Sequence, residues 1–205
     1  MSAALIVFAK APVAGLAKTR LIPALGAAGA AALAGRLLER AMAAAAASGP
    51  AALELCCTPD TDHPAMRALA CRHGAALTHQ GDGDLARRMV RALDRALAAH
   101  GRAMLMGTDA PALDAPRLRE AARALAAHDA VFVPALDGGY VLVGLSRPAP
   151  ALFEGIAWST PRVMQATRER ARAAGLSLAE LPAVADIDEP ADLGHLRDVP
   201  GAWLA

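Results

Sequence analysis

The sequence predicts an α/β domain built on a mostly parallel sheet, and three observations carry that prediction. Short continuous apolar runs, such as ALIVFA from Ala4 to Ala9, have the form of strands buried on both faces. Between them lie longer segments with apolar residues at helical spacing, as in Leu85, Met89, Leu93 and Leu97. Gly and Pro breakers separate the two kinds of segment, so strands and helices alternate with short connections, the pattern of crossover units.

Taken in order, the run Ala4–Ala9 is followed by a polar loop and then by a helical stretch from Gly26 to Ser48. That stretch carries Leu33, Leu37, Leu38 and Met42 on one face and stops before Gly49-Pro50. ALELCCT, Ala52 to Thr58, reads as the second strand, His63 to His73 as a short helix, and Ala75 to Thr78 as a brief strand. The helix of Leu85 to Leu97 presents Arg87, Arg91 and Arg95 on another face, expected to be solvated. AMLMG (Ala103 to Gly107), DAVFVP (Asp129 to Pro134) and YVLVGL (Tyr140 to Leu145) are strands, with a helix from Pro116 to His128 after the first. Thr160 to Ala174 reads as a helix, Leu176 to Leu181 as a strand and Pro190 to Arg197 as a short closing helix.

Composition narrows the function. A chain of 205 residues with 55% hydrophobic content suits one domain that buries roughly 70% of its unfolded surface without a disulfide or metal staple. Aromatics are only 3%, which predicts a core of thin aliphatic strands and closely packed alanine-rich helices. The net charge of +1 offers neither the basic surface of a nucleic-acid binder nor a polybasic membrane patch. MSAALIVFAK lacks an early positive charge and a cleavage site, so it reads as a strand and not a signal peptide. AMAAAAAS, Ala41 to Ser48, is too short to span a bilayer. A cytoplasmic protein is expected. Cys56, Cys57 and Cys71 form no metal-ligand spacing and are expected to be buried thiols; the scattered histidines argue against zinc.

The two lysines of the chain, Lys10 and Lys18, both fall in the loop FAKAPVAGLAKTRL, next to Arg20, whereas the other basic residues are all arginine. A compact ammonium meets phosphate oxygens from varied angles, so this loop is a candidate phosphate site. It lacks the glycines of a P-loop or a dinucleotide fingerprint; Gly15 is its one glycine. An exposed basic loop with no ligand explains it equally well.

Asp109 directly follows an apolar strand in GTDAPAL, and Asp114 is better placed to cap the next helix, which leaves Asp109 free for a divalent metal. Asp186 and Asp188, two apart in ADIDEPADL, face one side of an extended segment. Either can complete the metal site, with Asp188 preferred although it can also cap the helix from Pro190. Glu189 is expected to be solvated. DGGY, Asp137 to Tyr140, reads first as a tight turn, compatible with a ligand lying over its glycines. In QGDGDL, Asp84 can cap a helix while Gly81 and Gly83 leave room for a base or ribose. In Trp158-Ser159-Thr160-Pro161, Thr160 is expected to cap a helix opened by Pro161, with contact of Ser159 or Trp158 to an acceptor as the second reading.

Together, FAKAPVAGLAKTRL, QGDGDLARRM, GTDAPAL, PALDGGYVLVGL, WST and DIDEPADL resemble the DUF2064 proteins, also called radical-SAM/selenodomain-associated transferases of type 1. The resemblance runs from Phe8 to Leu193. It implies a Rossmann-like GT-A, nucleotide-diphospho-sugar transferase fold in a single domain spanning residues 1–205, with helices on both faces and a small antiparallel insertion. Molybdenum-cofactor and 2-phospholactate guanylyltransferases are relatives of that fold. By this resemblance the loop with Lys10, Gly15, Lys18, Thr19 and Arg20 covers donor phosphates, and Asp109 is the counterpart of the metal-binding aspartate after the fourth strand; Asp188, preferred on its spacing, is expected to join it in holding Mg2+ or Mn2+. The resemblance also puts Gln80, Gly81 and Asp82 near the nucleoside and Asp137, Gly138, Gly139 and Tyr140 near a small-molecule acceptor; on its chemistry alone Asp137 is a candidate general base or acceptor anchor. DIDEPADL departs from the family's more familiar DIDTPADL at Glu189, which removes a hydroxyl there.

The superfamily holds two chemistries with the same electrostatic needs. One moves a sugar from a nucleotide sugar and releases a nucleoside diphosphate. The other moves a nucleoside monophosphate from a triphosphate to a phosphorylated acceptor and releases pyrophosphate. Sugar transfer is the first expectation and nucleotidyl transfer the alternative. A non-catalytic nucleotide-binding protein is the third, disfavoured because it has no need of paired carboxylates. A homodimer is compatible with the sequence.

Overall fold

The computed structural model describes residues 3–201 and 203. Its strands are β1 Ala4–Lys10, β2 Leu53–Thr58, β3 Ala76–His79, β4 Ala103–Met106, β5 Ala130–Pro134, β6 Tyr140–Leu145 and β7 Leu178–Glu180. The helices are α1 Ile22–Ala47, α2 Pro64–His73, α3 Leu85–His100, α4 Ala115–Leu125 and α5 Val163–Ala173.

The strands form one sheet in the order β3-β2-β1-β4-β6-β5-β7. Only β6 runs against its neighbours, being antiparallel to both β4 and β5, while β1–β2, β1–β4, β2–β3 and β5–β7 are parallel. That is the mostly parallel sheet with a small antiparallel element that the sequence predicts. β1 is followed by β2 on one side and pairs with β4 on the other, so the chain reverses its direction of travel across the sheet between β1 and β4. Open parallel sheets bind ligands beyond the strand ends at such a point.

The period-two alternation of the strands sorts their side chains into two cores. Leu5, Val7, Leu55, Met104 and Val131 face α1, α2 and α4. Ala4, Ile6, Cys56, Leu105 and Phe132 face α3 and α5. A third cluster joins Leu21, Leu33 and Leu37 to Ile187, Leu196 and Trp203, fastening the C-terminal segment to the start of α1.

Several local expectations shift. α1 begins at Ile22 with Pro23 in its first turn, and Gly26 breaks its helical geometry at φ 71°. The alanine run is the end of this longer helix. By length and composition alone, Thr19–Ala47 is long and apolar enough to cross a membrane; here its Leu38 and Met42 pack on the sheet. α4 ends at Leu125, short of His128, whose Nδ1 meets the Ala124 carbonyl at 2.9 Å and closes the last turn. Asp84 and Asp114 cap α3 and α4 through the Arg87 and Arg117 amides.

Thr160 caps no helix of its own: its hydroxyl donates to the Ala157 carbonyl in a turn, and α5 starts at Val163. The closing helix is a 3-10 helix, Pro190–Asp198, whose N-cap is Glu189 and not Asp188: the Glu189 side chain accepts from the Asp192 amide, and Asp192 accepts from the amides of Glu189 and Asp188. Cys56 and Cys57 are buried as expected, but Cys71 is exposed on α2. The arginine face of α3 is solvated only in part, since Arg91 donates to the carbonyls of Gln80 and Asp82 and Arg95 pairs with Glu54.

Candidate active site

Beyond the carboxyl ends of β1 and β4, the loops leave a cavity of about 360 Å³ lined by Lys10, Lys18, Thr19, Arg20, Gln80, Asp109 and Asp188. A second cavity of about 310 Å³ shares Phe8, Leu85, Gly107 and Asp109 with it and is completed by Asp137, Gly139, Tyr140 and Trp158. The fold thus gathers most of the residues singled out in the sequence around Asp109.

The ammonium of Lys18 lies between the two predicted metal ligands, 2.7 Å from Asp109 Oδ1 and 2.9 Å from Asp188 Oδ1, and donates also to the Ile187 carbonyl. Its side chain is 7% exposed, against 41% and 46% for the two carboxylates. Burial pulls its pKa down, but Asp109 and Asp188 outweigh burial and hold it above the ordinary lysine value. All three donors are engaged within the protein. Lys18 therefore fixes the carboxylates, and the cations left to meet a phosphate directly are Lys10, which has no partner among the described residues, and Arg20. Arg20 is 57% exposed and lies 3.5 Å from Asp188 and 3.7 Å from Glu189.

Three backbone features set this geometry. Lys18 has a left-handed backbone at φ 47°, uncommon for a residue with a β-carbon. The Ile187 amide donates to the Asp109 carbonyl at 2.8 Å, lacing the C-terminal segment to the loop after β4. Thr108 donates to Asp109 Oδ1 at 3.2 Å. The paired carboxylates and Lys18 are thus held from three separate stretches of chain.

Asp186 belongs to the same acidic group. Burial first, and then the charges of Asp137, Asp188 and Asp109, raise its pKa to about 6. The one buried ammonium leaves this group with an excess of negative charge. Among the described residues no cluster of three or more His, Cys, Asp or Glu has metal-holding geometry. Any metal here would rest on two protein carboxylates.

The remaining predicted residues divide. Gln80 is buried and lines the first cavity, but its amide donates to the carbonyls of Ala9 and Cys56 and accepts from Arg88, so it clamps strand ends. Gly81 and Gly83 have positive φ, 77° and 103°, and the positions a β-carbon would take on them lie against the side chains of Arg91, at 2.2 Å, and Arg87, at 3.2 Å. Asp82 is exposed, and neither it nor Gly15, which forms a turn at φ 80°, lines the two cavities. Asp137 Oδ1 accepts from the Gly139 amide in the predicted turn. A β-carbon at Gly138 would strike the Pro161 carbonyl at 2.2 Å, so this glycine permits the turn to pack on the approach to α5. Tyr140 sits edge-on between Phe132 and Trp158, at centroid distances of 5.0 and 6.1 Å.

Sequence reasoning missed the cavity walls. Phe8 and Leu85 read only as strand and helix residues, and Ser159 showed no sign of its left-handed backbone at φ 60°. Among the described non-glycine residues only Lys18 and Ser159 have positive φ, and both line these cavities.

Residues 41–160 match the DUF2064 family, described as an uncharacterized protein conserved in bacteria. The chain belongs to this family. The DUF2064 match covers the segments from α1 to Thr160, including the loop of Asp109 and the turn of Asp137. The structure is similar to that of a Desulfovibrio desulfuricans G20 protein whose provisional designation is nucleotide-diphospho-sugar transferase. The two are 33% identical with a TM-score of 0.86 over 96% of this chain and 87% of that one. Rv0371c of Mycobacterium tuberculosis H37Rv, in a complex with manganese, has the same fold at 18% identity and a TM-score of 0.59, over 97% and 99% of the two chains. So does 2-C-methyl-D-erythritol 4-phosphate cytidylyltransferase of Thermus thermophilus, at 17% identity and a TM-score of 0.56 over 97% and 100%. No curated protein matches the sequence.

Proposed function

We propose that the protein is a transferase that uses a nucleotide-sugar donor and a divalent metal ion, Mg2+ or Mn2+, to pass a sugar to a small-molecule acceptor. The observation that carries this reading is the Asp109–Lys18–Asp188 arrangement at the switch point of the sheet, with Lys10 and Arg20 on the rim of the same cavity. The 33% identity to the Desulfovibrio protein supports sugar transfer, and the manganese complex of the Mycobacterium protein supports the metal.

The donor set suits such an ion. Asp109 and Asp188 each give Oδ1 to Lys18; Oδ2 of Asp109 is left over, and Oδ2 of Asp188 is shared with Arg20 at 3.5 Å, and Mg2+ commonly takes one or two carboxylates with phosphate oxygens and water. Bound there, the metal would supply charge stabilisation for the departing diphosphate. The chain's own residues do the rest. Lys18 keeps two carboxylates convergent that would otherwise repel each other. Lys10 and Arg20 meet the donor phosphates as negative charge gathers on the leaving group. Asp137, across Asp109 in the second cavity, is placed to take the proton of the acceptor hydroxyl.

Incubating the protein with nucleotide sugars and with nucleoside triphosphates, each with Mg2+ or Mn2+, tests this reading. Nucleoside diphosphate release from a nucleotide sugar is expected. Acceptor-dependent pyrophosphate release from a triphosphate would instead assign nucleotidyl transfer to a phosphorylated acceptor. Asp109→Asn is expected to lower turnover roughly 100- to 1,000-fold, or about 2.7–4 kcal/mol, the scale of other preorganised electrostatic contacts. Unchanged turnover in that variant would remove Asp109 from the mechanism.

A further inference from the structure

The two cavities that meet at Asp109 differ in charge. Lys10, Lys18 and Arg20 all line the cavity on the β1 side. No lysine or arginine lines the cavity on the β6 side, where the charged side chains are Asp109 and Asp137 and the wall is built largely from Phe8, Met89, Tyr140 and Trp158. The adjoining surface towards the C-terminal segment sets Asp186, Asp188, Glu189 and Asp192 against Arg20 alone. Beyond Trp158 a further cavity is lined by Arg87 and Arg91 together with Asp84 and Glu154, and Arg91 is bound to backbone carbonyls.

Tyr140 packs edge-on between Phe132 and Trp158, and its hydroxyl is closed to solvent with no hydrogen-bond partner among the described residues. Tyr140 therefore meets a ligand in this cavity through its ring, as part of the apolar wall, and not through its hydroxyl. Burial also pushes the phenol well above its ordinary range, which keeps it neutral.

Resting on the sugar-transfer reading above, we infer that the β6-side cavity takes an uncharged, unphosphorylated acceptor: a hydroxyl compound with an apolar or aromatic body. A phosphorylated acceptor would lay its charge against Asp137 with no lysine or arginine in the wall, since Lys18 reaches Asp109 from the other cavity and is engaged there. An uncharged alcohol covers the aromatic wall with its body and presents its hydroxyl to Asp137. In the transfer, the acceptor oxygen bonds to the anomeric carbon of the donor sugar. The bond from that carbon to the diphosphate oxygen breaks with its electron pair on the nucleoside diphosphate, and the acceptor proton passes to the Asp137 carboxylate and on to water.

The matched probes benzyl alcohol and benzyl phosphate test this by binding alone. The readout is quenching of Trp158 fluorescence in a Trp203→Phe background, which leaves Trp158 as the single indole of a chain with two tryptophans. Benzyl alcohol is expected to bind about tenfold more tightly than benzyl phosphate and to lose most of its advantage over the phosphate in Asp137→Asn. Equal or tighter binding of benzyl phosphate, failure of benzyl alcohol to quench, or a preference unchanged by Asp137→Asn would overturn the inference. Because no donor is present, its failure is distinguishable from failure of the sugar-transfer reading, which is judged by nucleoside diphosphate release.

Discussion

At the scale of single residues, Lys18 shows how position changes the meaning of a side chain. Its company in the sequence suggests a phosphate ligand, yet its ammonium is engaged by Asp109, Asp188 and the Ile187 carbonyl. A small tetrahedral ammonium can direct three donors at three convergent oxygens, whereas a planar guanidinium cannot. Lys18→Arg is therefore expected to behave much like Lys18→Met, with turnover lower by about 100-fold. The stability loss should be near ~1 kcal/mol, because both carboxylates are more than a third exposed and water screens them. Steady-state kinetics and thermal unfolding check this, and an arginine variant with near-normal turnover would contradict it.

At the scale of elements, the ends of strands carry more specificity than their interiors. Asp129, just before β5, shows why. Its carboxylate accepts from Arg147 at 2.8 Å and from the Ser177 amide and hydroxyl at 2.9 and 2.8 Å, tying the start of β5 to the end of β6 and the approach to β7. Arg147 first, and then Ser177, hold its pKa far below the ordinary value of 3.8. A depressed carboxylate contributes stability above its unfolded pKa and loses it as pH falls towards its folded one. The melting-temperature gap between wild type and Asp129→Asn should thus be full at neutral pH and shrink below about pH 3.8. A gap that stays constant down to acid-induced unfolding would argue against the ionised carboxylate as the tie.

Element type was legible because buried runs such as Leu5 to Val7 and the Leu85–Leu97 stripe have unambiguous periods. The cap residues Asp84 and Asp114 were legible too, since a short polar side chain before an apolar period has a local cause. What stayed hidden depends on distant chain. The saturation of Lys18 by Asp188 joins residues 170 positions apart. The closure of Gly81 and Gly83 by Arg91 and Arg87 depends on how α3 lies against the preceding loop. The exposure of Cys71 is likewise a matter of which face of α2 meets α1.

At the scale of the whole molecule, the site is completed by a segment that reaches it last. The parallel sheet alone places Asp109 and Lys10 at one edge of the cleft, but Asp188 arrives only because the chain after β7 returns alongside β5 and crosses the cleft to α1. Its anchor is Trp203, 8% exposed, packed with Ile187, Leu33 and Leu37, its indole donating to the Val199 carbonyl at 2.8 Å and its carbonyl accepting from Arg36. Arg40 stacks 5.7 Å from the indole and donates to the carbonyls of Pro111 and Pro200. Truncation of a buried aromatic of this size costs about 3–5 kcal/mol, and here the loss falls on the cluster that supports Ile187 and not on the two cores of the sheet. Trp203→Ala is therefore expected to speed hydrogen exchange at the Ile187 and Asp188 amides and to lower turnover, while amides of β1 and β4 keep their protection. Trp203→Phe, which retains most of the apolar surface, should restore most of the protection at Ile187. If exchange at Ile187 and Asp188 were unaltered in the alanine variant, the C-terminal cluster would not be what holds Asp188 in the site.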